Sequence, residues 1–213
     1  MEGMPPEGDL DWWRAQAAGA KSAAQRQVIE NNRRLLSAFA AAFHPNYYVS
    51  CWHMNALESI KMWDVYTKSP DSVAITTTYS LLRGELPSYV DVGVVRYTDY
   101  ASERLPSMNM FEYITHKRIA YCFEREVRAV AFPPATDGLG LQSFQDNLFA
   151  MTGEEESLFF APEVDVTRLI QSVVLHSDAT TDFAKTVRGI CKDAGLPAPV
   201  TSKVGAGGTA AIR

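Results

Sequence analysis

The chain has 213 residues, of which 46% are hydrophobic and 21% are charged, and this composition excludes a disordered or fibrous protein. The 20 Lys and Arg residues against 25 Asp and Glu give a net charge of −5, which argues against a duplex-DNA binder because such a protein needs a basic face. A chain of this length is expected to form one domain and to fold without a metal or a disulfide.

The N-terminal part predicts a loop followed by helix. Residues 1–10 contain prolines and glycines and predict a loop. Good helix formers dominate Asp11 to Phe43, which predicts a helix broken near Gly19. The spacing of its large apolar residues predicts one inward face, made of Ile29, Leu35, Leu36, Phe39 and Phe43.

Alternating strands and helices are predicted next. Tyr47–Trp52 has the composition of a buried strand. Asn55 is predicted to cap a helix over Ala56–Thr67, with Glu58 at its third position, and the many apolar residues place this helix in the core. The remaining predicted elements are strands at Ser72–Thr78, Val90–Tyr100, Glu124–Phe132, Ser157–Pro162 and Gln171–His176, helical turns at Tyr79–Gly84 and Asp165–Ile170, helix or extended chain at Phe111–His116, and a loop or lid at 133–156.

The C-terminal part predicts one amphipathic helix and a tail. Thr180–Ala194 is predicted to be helical, and Gly195 is expected to end the helix as a C-terminal cap. Its inward residues are predicted to be Phe183, Val187, Ile190 and Cys191. Together these elements predict a single α+β domain, with a mixed, twisted sheet flanked by helices and a helical N-terminal segment. Its divisions are residues 1–46 (loop and helices), 47–203 (α+β domain) and 204–213 (flexible tail).

The location of the protein is predicted from what the chain lacks. No run of about 18 apolar residues could cross a membrane, and the N-terminus has no basic and apolar signal sequence. Cys51, Cys122 and Cys191 lie far apart and form no Cys-x-x-Cys pair. We therefore expect reduced, buried thiols in a cytoplasmic protein that binds no metal.

Two clusters of residues are candidates for a site. Cys51 and His53 share one face of a predicted strand, and Glu58 and Trp63 could line a cleft where the strand meets the next helix. A strand-end His that only hydrogen-bonds to the following helix is the structural alternative.

The second cluster lies on the predicted strand Glu124–Phe132. Glu124, Glu126 and Arg128 alternate, so they are expected to project from one face. Either they face solvent as weak ion pairs, or they line a polar cleft in which a Glu orients a hydroxyl or stabilises positive charge. In the second case Lys117, Arg118 or Arg128 could hold phosphate.

The ordered succession of motifs resembles domain of unknown function family 2971, which consists of uncharacterised bacterial and phage-encoded proteins, some associated with phage defence. The first block is Cys51-Trp52-His53, Glu58-Ser59, Met62-Trp63, Tyr66 and Val73-Ala74-Ile75; the second is Val95-x-Tyr97-x-Asp99-Tyr100, Lys117-Arg118 and Phe123-Glu124-x-Glu126-x-Arg128; the third is Leu169-Ile170-x-x-Val173-Val174 and Gly195–Ser202. The resemblance covers about residues 45–203. It departs at the start, where family members carry a strand and helix, and this predicts an exposed sheet edge covered by a partner or a second copy.

A pattern similar to that of ADP-ribosyltransferases follows from the Thr76-Thr77-Thr78 run and the later Glu124-x-Glu126. The likeness implies an enzyme that uses NAD as substrate, acting in phage defence or as a toxin, with Glu126 and Glu124 as catalytic carboxylates. The ligand-binding residues would be His53, Glu58, Trp63, Tyr66, Thr77, Lys117, Arg118 and Arg128. The structural interpretation of the threonines is that they are ordinary strand residues, because Thr favours strands.

The alternative is a non-catalytic sensor or interaction module that contacts a nucleotide or a partner protein, with self-association also open. Neither duplex DNA nor a membrane is expected as a partner. The sequence leaves open whether the protein is an enzyme.

Overall fold

The computed structural model describes residues 7–43, 47–105, 110–131 and 161–204. Its helices are α1 (Glu7–Ala18), α2 (Ala23–Phe43), α3 (Ile60–Tyr66), α4 (Tyr79–Glu85), α5 (Met110–Thr115), α6 (Val166–Leu169) and α7 (Thr181–Asp193), with a 3-10 helix at Ile119–Glu124. Its strands are β1 (Tyr48–His53), β2 (Val73–Thr76), β3 (Val90–Val94), β4 (Arg96–Thr98), β5 (His116–Arg118), β6 (Glu126–Ala131), β7 (Ser172–Leu175) and β8 (Val200–Thr201). The predicted loop at 133–156, most of the predicted strand Ser157–Pro162 and the tail beyond residue 204 lie outside the described residues.

The chain divides into two compact units, each made of two stretches of sequence. Unit 1 contains residues 1–53 and 89–160, and unit 2 contains residues 54–88 and 161–213. The predicted boundaries at residues 46 and 203 stay predictions.

The two N-terminal helices of unit 1 are separated at the position where the sequence predicts a break. α1 ends at Ala18, just before Gly19, and α2 begins at Ala23. The predicted loop over residues 1–10 is wrong at its end, because α1 already begins at Glu7. The first turn of α1 is held against the loop that follows β4, since the Gly8 amide donates to the Tyr100 carbonyl at 3.2 Å. This contact joins residues far apart in sequence, so local sequence signals do not reveal it.

The main sheet of unit 1 has the order β1-β6-β3, and both pairings are antiparallel. β6 is the central strand and is buried along its whole length. Opposite residues in an antiparallel pair point to the same face. The register pairs His53 with Glu126 and Cys51 with Arg128, so these four side chains share one face of the sheet.

The second sheet of unit 1 is a short parallel pair, β4 with β5. The predicted single strand Val90–Tyr100 is interrupted at Val95, whose amide donates to the Glu126 carbonyl at 2.9 Å. The ambiguous segment Phe111–His116 is mostly helix, as α5, and continues directly into β5.

Unit 2 contains the sheet β2-β7-β8, in which β2 is antiparallel and β8 parallel to β7. α7 packs on one face of this sheet through the core cluster Val173, Leu175, Ala184, Val187 and Cys191. Thr180 caps α7 by accepting from the Phe183 amide, and Gly195 follows the helix at φ +68°, as its C-terminal cap position requires. The predicted inward position of Ile190 is wrong, because 60% of this residue is exposed.

The helix predicted at Ala56–Thr67 begins later than expected. Ser59, and not Asn55, is the N-terminal cap, and it accepts from the Met62 amide. Only Trp63 of α3 is buried, whereas Tyr66 is 58% exposed, so the expectation that this helix is set in the core is wrong.

The helices and mixed sheets confirm the α+β class. Within the part of the chain that the structure describes, the strands form three sheets, where the sequence predicts one. Within the described ranges, no helix has the length and apolarity needed to cross a membrane.

Candidate functional site

A cluster of four buried charged side chains lies at the centre of unit 1, and we call it the ion network. Its members are Lys117, Glu124, Glu126 and Arg128, which are 9%, 4%, 4% and 3% exposed respectively. The two cations and two carboxylates balance in formal charge. Balance matters here because a lone buried charge would be strongly unfavourable.

Two strand pairings bring the network together. β6 contributes Glu126 and Arg128 from one face of the main sheet. In the parallel pair β4–β5, Tyr97 is opposite Lys117, and both side chains therefore lie on the same face of that pair. Both reach Glu126: Lys117 Nζ lies 2.8 Å from its Oε1, and the Tyr97 hydroxyl accepts from its main-chain amide at 2.8 Å.

Glu126 has a cation on each oxygen. Lys117 Nζ donates to Oε1, and Arg128 Nε donates to Oε2 at 2.7 Å. The Lys117 ammonium also donates to Glu124 Oε2, and Arg128 Nη1 donates to the Ile114 carbonyl near the end of α5. The network thus connects β6, β5, α5 and the 3-10 helix.

Hydrogen bonding controls the ionisation of Glu126. Burial alone would raise the pKa of this carboxyl, but hydrogen bonds involving Glu124, Lys117 and Arg128 outweigh it, so the pKa lies below its ordinary value. Burial raises the pKa of Tyr97, so its phenol remains protonated at neutral pH. Glu126 is therefore ionised at neutral pH, with a cation on each of its carboxylate oxygens.

Glu124 does not lie on the strand, as predicted, but at the end of the 3-10 helix. Its main-chain carbonyl accepts from His53 Nδ1 at 2.6 Å. His53 thus contacts the end of the 3-10 helix. The alternative in which His53 only hydrogen-bonds to the helix that follows its strand is therefore wrong. Because the three charged residues Glu124, Glu126 and Arg128 are buried, the solvent-facing alternative is wrong.

Arg125, between the two buried glutamates, is exposed and adopts a left-handed backbone conformation with φ 43° and ψ 53°. A residue with a Cβ atom pays about 1–2 kcal/mol for this conformation. Arg118, at the other end of the 3-10 helix, is exposed as well, and its guanidinium lies 6.0 Å from the centre of the Tyr100 ring. Of the six cationic and acidic residues over 117–128, these two arginines point to solvent.

The other predicted site residues belong to unit 2. Glu58 accepts a hydrogen bond from the Ser202 hydroxyl, and Trp63 packs edge-on against His176 with ring centres 5.2 Å apart. Tyr66 is exposed, and Thr77 is half-buried beside its neighbour Thr78. The structure thus brings Glu124, Glu126, Lys117, Arg128 and His53 together in unit 1, whereas the other four predicted residues are part of unit 2.

The threonine run has local structural partners. Thr76 exchanges a hydrogen bond with Ser172 at 2.6 Å across the β2–β7 pair, and Thr78 caps α4 by accepting from the Leu81 amide. Ordinary strand and cap chemistry therefore accounts for these two hydroxyls.

The Tyr97 hydroxyl and the Ile114 carbonyl form hydrogen bonds with residues of the ion network, and residue patterns did not identify them as site groups. Tyr97 appeared in a motif only, and a carbonyl leaves no sequence signal. The buried state of the thiols was also predicted incorrectly, because Cys51 and Cys122 are exposed and only Cys191 is buried. Among the described residues, no group of three or more His, Cys, Asp or Glu could hold a metal ion.

Comparison of the chain with protein-family models, with curated proteins and with solved structures finds no match.

Proposed function

We propose that this protein is a non-catalytic module that binds an anionic, nucleotide-like ligand. The observation that carries the proposal is the state of Glu126, which is 4% exposed and has both carboxylate oxygens bound to cations. A carboxylate that assists ADP-ribosyl transfer has to reach the ribose of NAD and stabilise positive charge there. A carboxylate that two fixed cations already neutralise is poorly suited to that task.

The ligand surface in this proposal is the segment 118–125, around the 3-10 helix. Arg118 and Arg125 are exposed at its two ends, and neither has a carboxylate partner in the part of the chain that the structure describes. Tyr121, between them, is 44% exposed. Guanidinium groups bind phosphate through paired hydrogen bonds, and aromatic rings stack with bases, so this composition suits a nucleotide.

The backbone of Arg125 supports the same surface. Glycine would occupy φ 43° without strain, yet the sequence has an exposed arginine there. Strained positions of this kind are enriched at binding sites, because selection for function retains them against their cost in stability. The buried neighbours Glu124 and Glu126 hold the strained turn in place through the ion network.

The resemblance to domain of unknown function family 2971, the cytoplasmic location and the role in phage defence belong to the same proposal. They rest on the order of sequence motifs and on the cysteine content. The NAD-consuming transferase stays the competing interpretation, and an activity assay separates the two.

Binding is tested by calorimetry with ATP and NAD as anionic probes and adenosine as the uncharged control. We expect the nucleotides to bind and adenosine to bind much more weakly. Arg125→Gly should raise the Kd at least about tenfold, while the free energy of unfolding stays level or rises, because backbone strain is released. Arg188→Gln, at an exposed position of α7, is the matched control and should change neither quantity. Absence of binding, or binding that both Arg125→Gly and Arg118→Gln leave unchanged, refutes the ligand surface.

Catalysis is tested by incubating the purified chain with NAD and measuring free nicotinamide. We expect release at the rate of the buffer alone. Release above that rate, lost in a Glu126→Gln variant that retains its circular dichroism spectrum, would establish the transferase and refute the non-catalytic module.

A further inference from the structure

Strand β2 is an open edge of the sheet in unit 2. In the order β2-β7-β8, no described strand lies beyond β2. The His176 amide donates to the Ser72 carbonyl at 3.1 Å, and this bond fixes which backbone groups of β2 face β7. Backbone groups alternate in an antiparallel pair, so those of Ala74 also face β7. The N–H and C=O groups of Val73 and Ile75 therefore point away from the sheet.

The side chains of the same two residues form an exposed apolar row. Val73 is 43% exposed and Ile75 is 44% exposed. The register places them opposite Leu175 and Val173, so all four side chains lie on the face of the sheet that α7 covers. Leu175 and Val173 are buried beneath α7, whereas the two β2 side chains remain open to solvent. A free backbone edge and an apolar row thus coincide on one strand.

One flank of α7 continues this apolar surface. Phe183 and Ile190 are seven residues apart, so they lie on the same side of the helix, and Ile190 is exposed. β7, α7 and β8 form a βαβ unit with parallel strands, and such connections are right-handed in nearly all proteins. With this handedness, the side with Phe183 and Ile190 faces β2. The Thr180 amide and hydroxyl bond to Asp71 Oδ1 at 2.8 and 2.9 Å, which places the start of α7 beside the start of β2.

The sequence of this edge does not prevent another strand from pairing with it. Native edge strands are commonly protected by lysine, by proline or by a bulge. The segment Ser72–Thr78, which reads Ser-Val-Ala-Ile-Thr-Thr-Thr, contains no charged residue, proline or glycine. Two copies of the edge can therefore approach each other without like-charge repulsion at the strand, although the whole chain has a net charge of −5.

The edge is also complementary to itself. In a symmetric antiparallel pair of β2 strands, placing Ala74 on the two-fold axis pairs Val73 with Ile75 of the second copy. Each of the two such pairs exchanges two backbone hydrogen bonds, because both residues have outward backbone groups. The four β-branched side chains then lie together on the α7 face. The small Ala74 side chain allows the two strands to approach closely at the axis, where the facing residues are not hydrogen-bonded.

We infer that two copies of this chain associate through β2 and form one continuous sheet across a two-fold axis. The β7 strands of the two copies lie three strand spacings apart, about 14 Å, so the two α7 helices run antiparallel on either side of the β2 pair. Phe183 and Ile190 of each copy line a groove whose floor is the four β-branched side chains. A foreign extended peptide could bond to the same backbone groups, but a second copy is the partner whose matching row and helix flank the structure itself shows.

The size of the contact sets the expected strength of the dimer. One short strand and one helix flank from each copy bury less than about 1,200 Å² in total, which is typical of transient complexes. We therefore expect a weak, reversible dimer with a micromolar Kd. Sedimentation velocity of the full-length chain over roughly 5–500 µM brackets such a Kd. The interaction goes beyond nucleotide binding and uses residues of unit 2.

Two variants of β2 test the interface. Ile75→Lys places a charge on each side of the two-fold axis and should raise the Kd of the dimer at least about tenfold. Val73→Pro removes an outward N–H at the first residue of the strand, where proline is tolerated, and should weaken the dimer as well. Val65→Lys, at a 52% exposed position of α3, is the matched control and should leave the Kd unchanged. Circular dichroism and thermal unfolding establish that each variant is folded.

The register has a test of its own. With Ala74 on the two-fold axis, its Cα atom lies about 4.5 Å from that of the second copy, and a disulfide can bridge this separation. Ala74→Cys should therefore form a linked dimer under mild oxidation, measured by non-reducing electrophoresis. Its rate should exceed at least about tenfold that of the parent chain, in which the exposed Cys51 and Cys122 set the background. Adding Ile75→Lys should return the rate toward that background.

Three results would overturn the inference. The first is a monomer over the whole concentration range. The second is a dimer whose Kd is the same in Ile75→Lys, which would place the interface elsewhere. The third is linkage of Ala74→Cys at the background rate, which would refute the pairing about Ala74. Arg125→Gly should leave the dimer unchanged and Ile75→Lys should leave nucleotide binding unchanged, so separate variants distinguish failure of the dimer from failure of the nucleotide site.

Discussion

Removing the Lys117 ammonium is the most informative perturbation of this structure. Lys117 is 9% exposed and donates to both Glu124 and Glu126, which are themselves 4% exposed. Lys117→Met keeps the length of the side chain, and it leaves Arg128 as the single network cation for two buried carboxylates. Breaking a buried ion pair from one side costs about 3–5 kcal/mol, so the variant should lose at least about 3 kcal/mol of unfolding free energy.

The measurement is urea unfolding followed by far-ultraviolet circular dichroism. With a slope of about 1–3 kcal/mol per molar urea, the midpoint should fall by at least about 1 M. Lys185→Met, at an exposed position of α7, is the matched control and should lie within about 0.5 kcal/mol of the parent chain. A midpoint for Lys117→Met equal to that of Lys185→Met would refute the buried, charge-balanced network.

A double variant tests charge balance itself. Adding Glu124→Gln to Lys117→Met leaves Glu126 and Arg128 as one balanced pair at 2.7 Å. The double variant should therefore be more stable than Lys117→Met alone, with a coupling free energy of about 1 kcal/mol or more. Additive losses from the two substitutions would show that Lys117 and Glu124 do not interact.

Three further predictions follow from local features. The network holds the pKa of Glu126 below its ordinary 4.5, so its contribution to stability is present above that pH and is lost as the pH falls through the lowered pKa. The unfolding free energy should thus fall on acidification below about pH 5, less steeply in Glu126→Gln, and identical slopes would contradict this. Asp9 is 1% exposed and burial raises its pKa, so ionising it in the folded state weakens the fold; Asp9→Asn should be more stable at pH 7, as judged by thermal unfolding, and a loss there would contradict the sign. A Cβ atom on Gly8 would lie 2.5 Å from the Glu103 carbonyl oxygen, so Gly8→Ala should cost about 1–3 kcal/mol in urea unfolding. Gly189→Ala, with nothing within 4 Å, should instead gain about 0.5–1 kcal/mol, and equal effects of the two substitutions would rule out the clash.

Elements with strong local signals were predicted well. The break near Gly19 and the short helix at Tyr79 appear as expected, and α7 begins after its Thr180 cap and ends before Gly195. Caps and breakers act through backbone hydrogen bonds and allowed torsion angles within a few residues, so the sequence alone specifies them. The start of α3 was predicted incorrectly from the same kind of signal, because Asn55 was the predicted cap and the structure uses Ser59.

The sequence identified the charged residues of the ion network, but it did not show that they are buried. Alternation on a strand grouped Glu126 with Arg128, and the structure keeps them together at 2.7 Å. Whether such a row faces solvent depends on the strand's neighbours, and β6 turns out to be the central strand between β1 and β3. The same local pattern at an edge would have given an exposed row with little energetic consequence.

Local chemistry in the sequence therefore determined the α+β class, most helix ends and the residues from which a charged cluster could form, because each depends on side chains a few positions apart. Tertiary structure decided that Lys117, from the short β5, meets Glu126, from β6, and that Leu35 lies on the outside of α2. These outcomes depend on pairings between segments distant in the chain, where burial changes the energy of a charge by several kcal/mol. A sequence pattern identifies the groups that can pair, but only the packed structure shows which of them are removed from water.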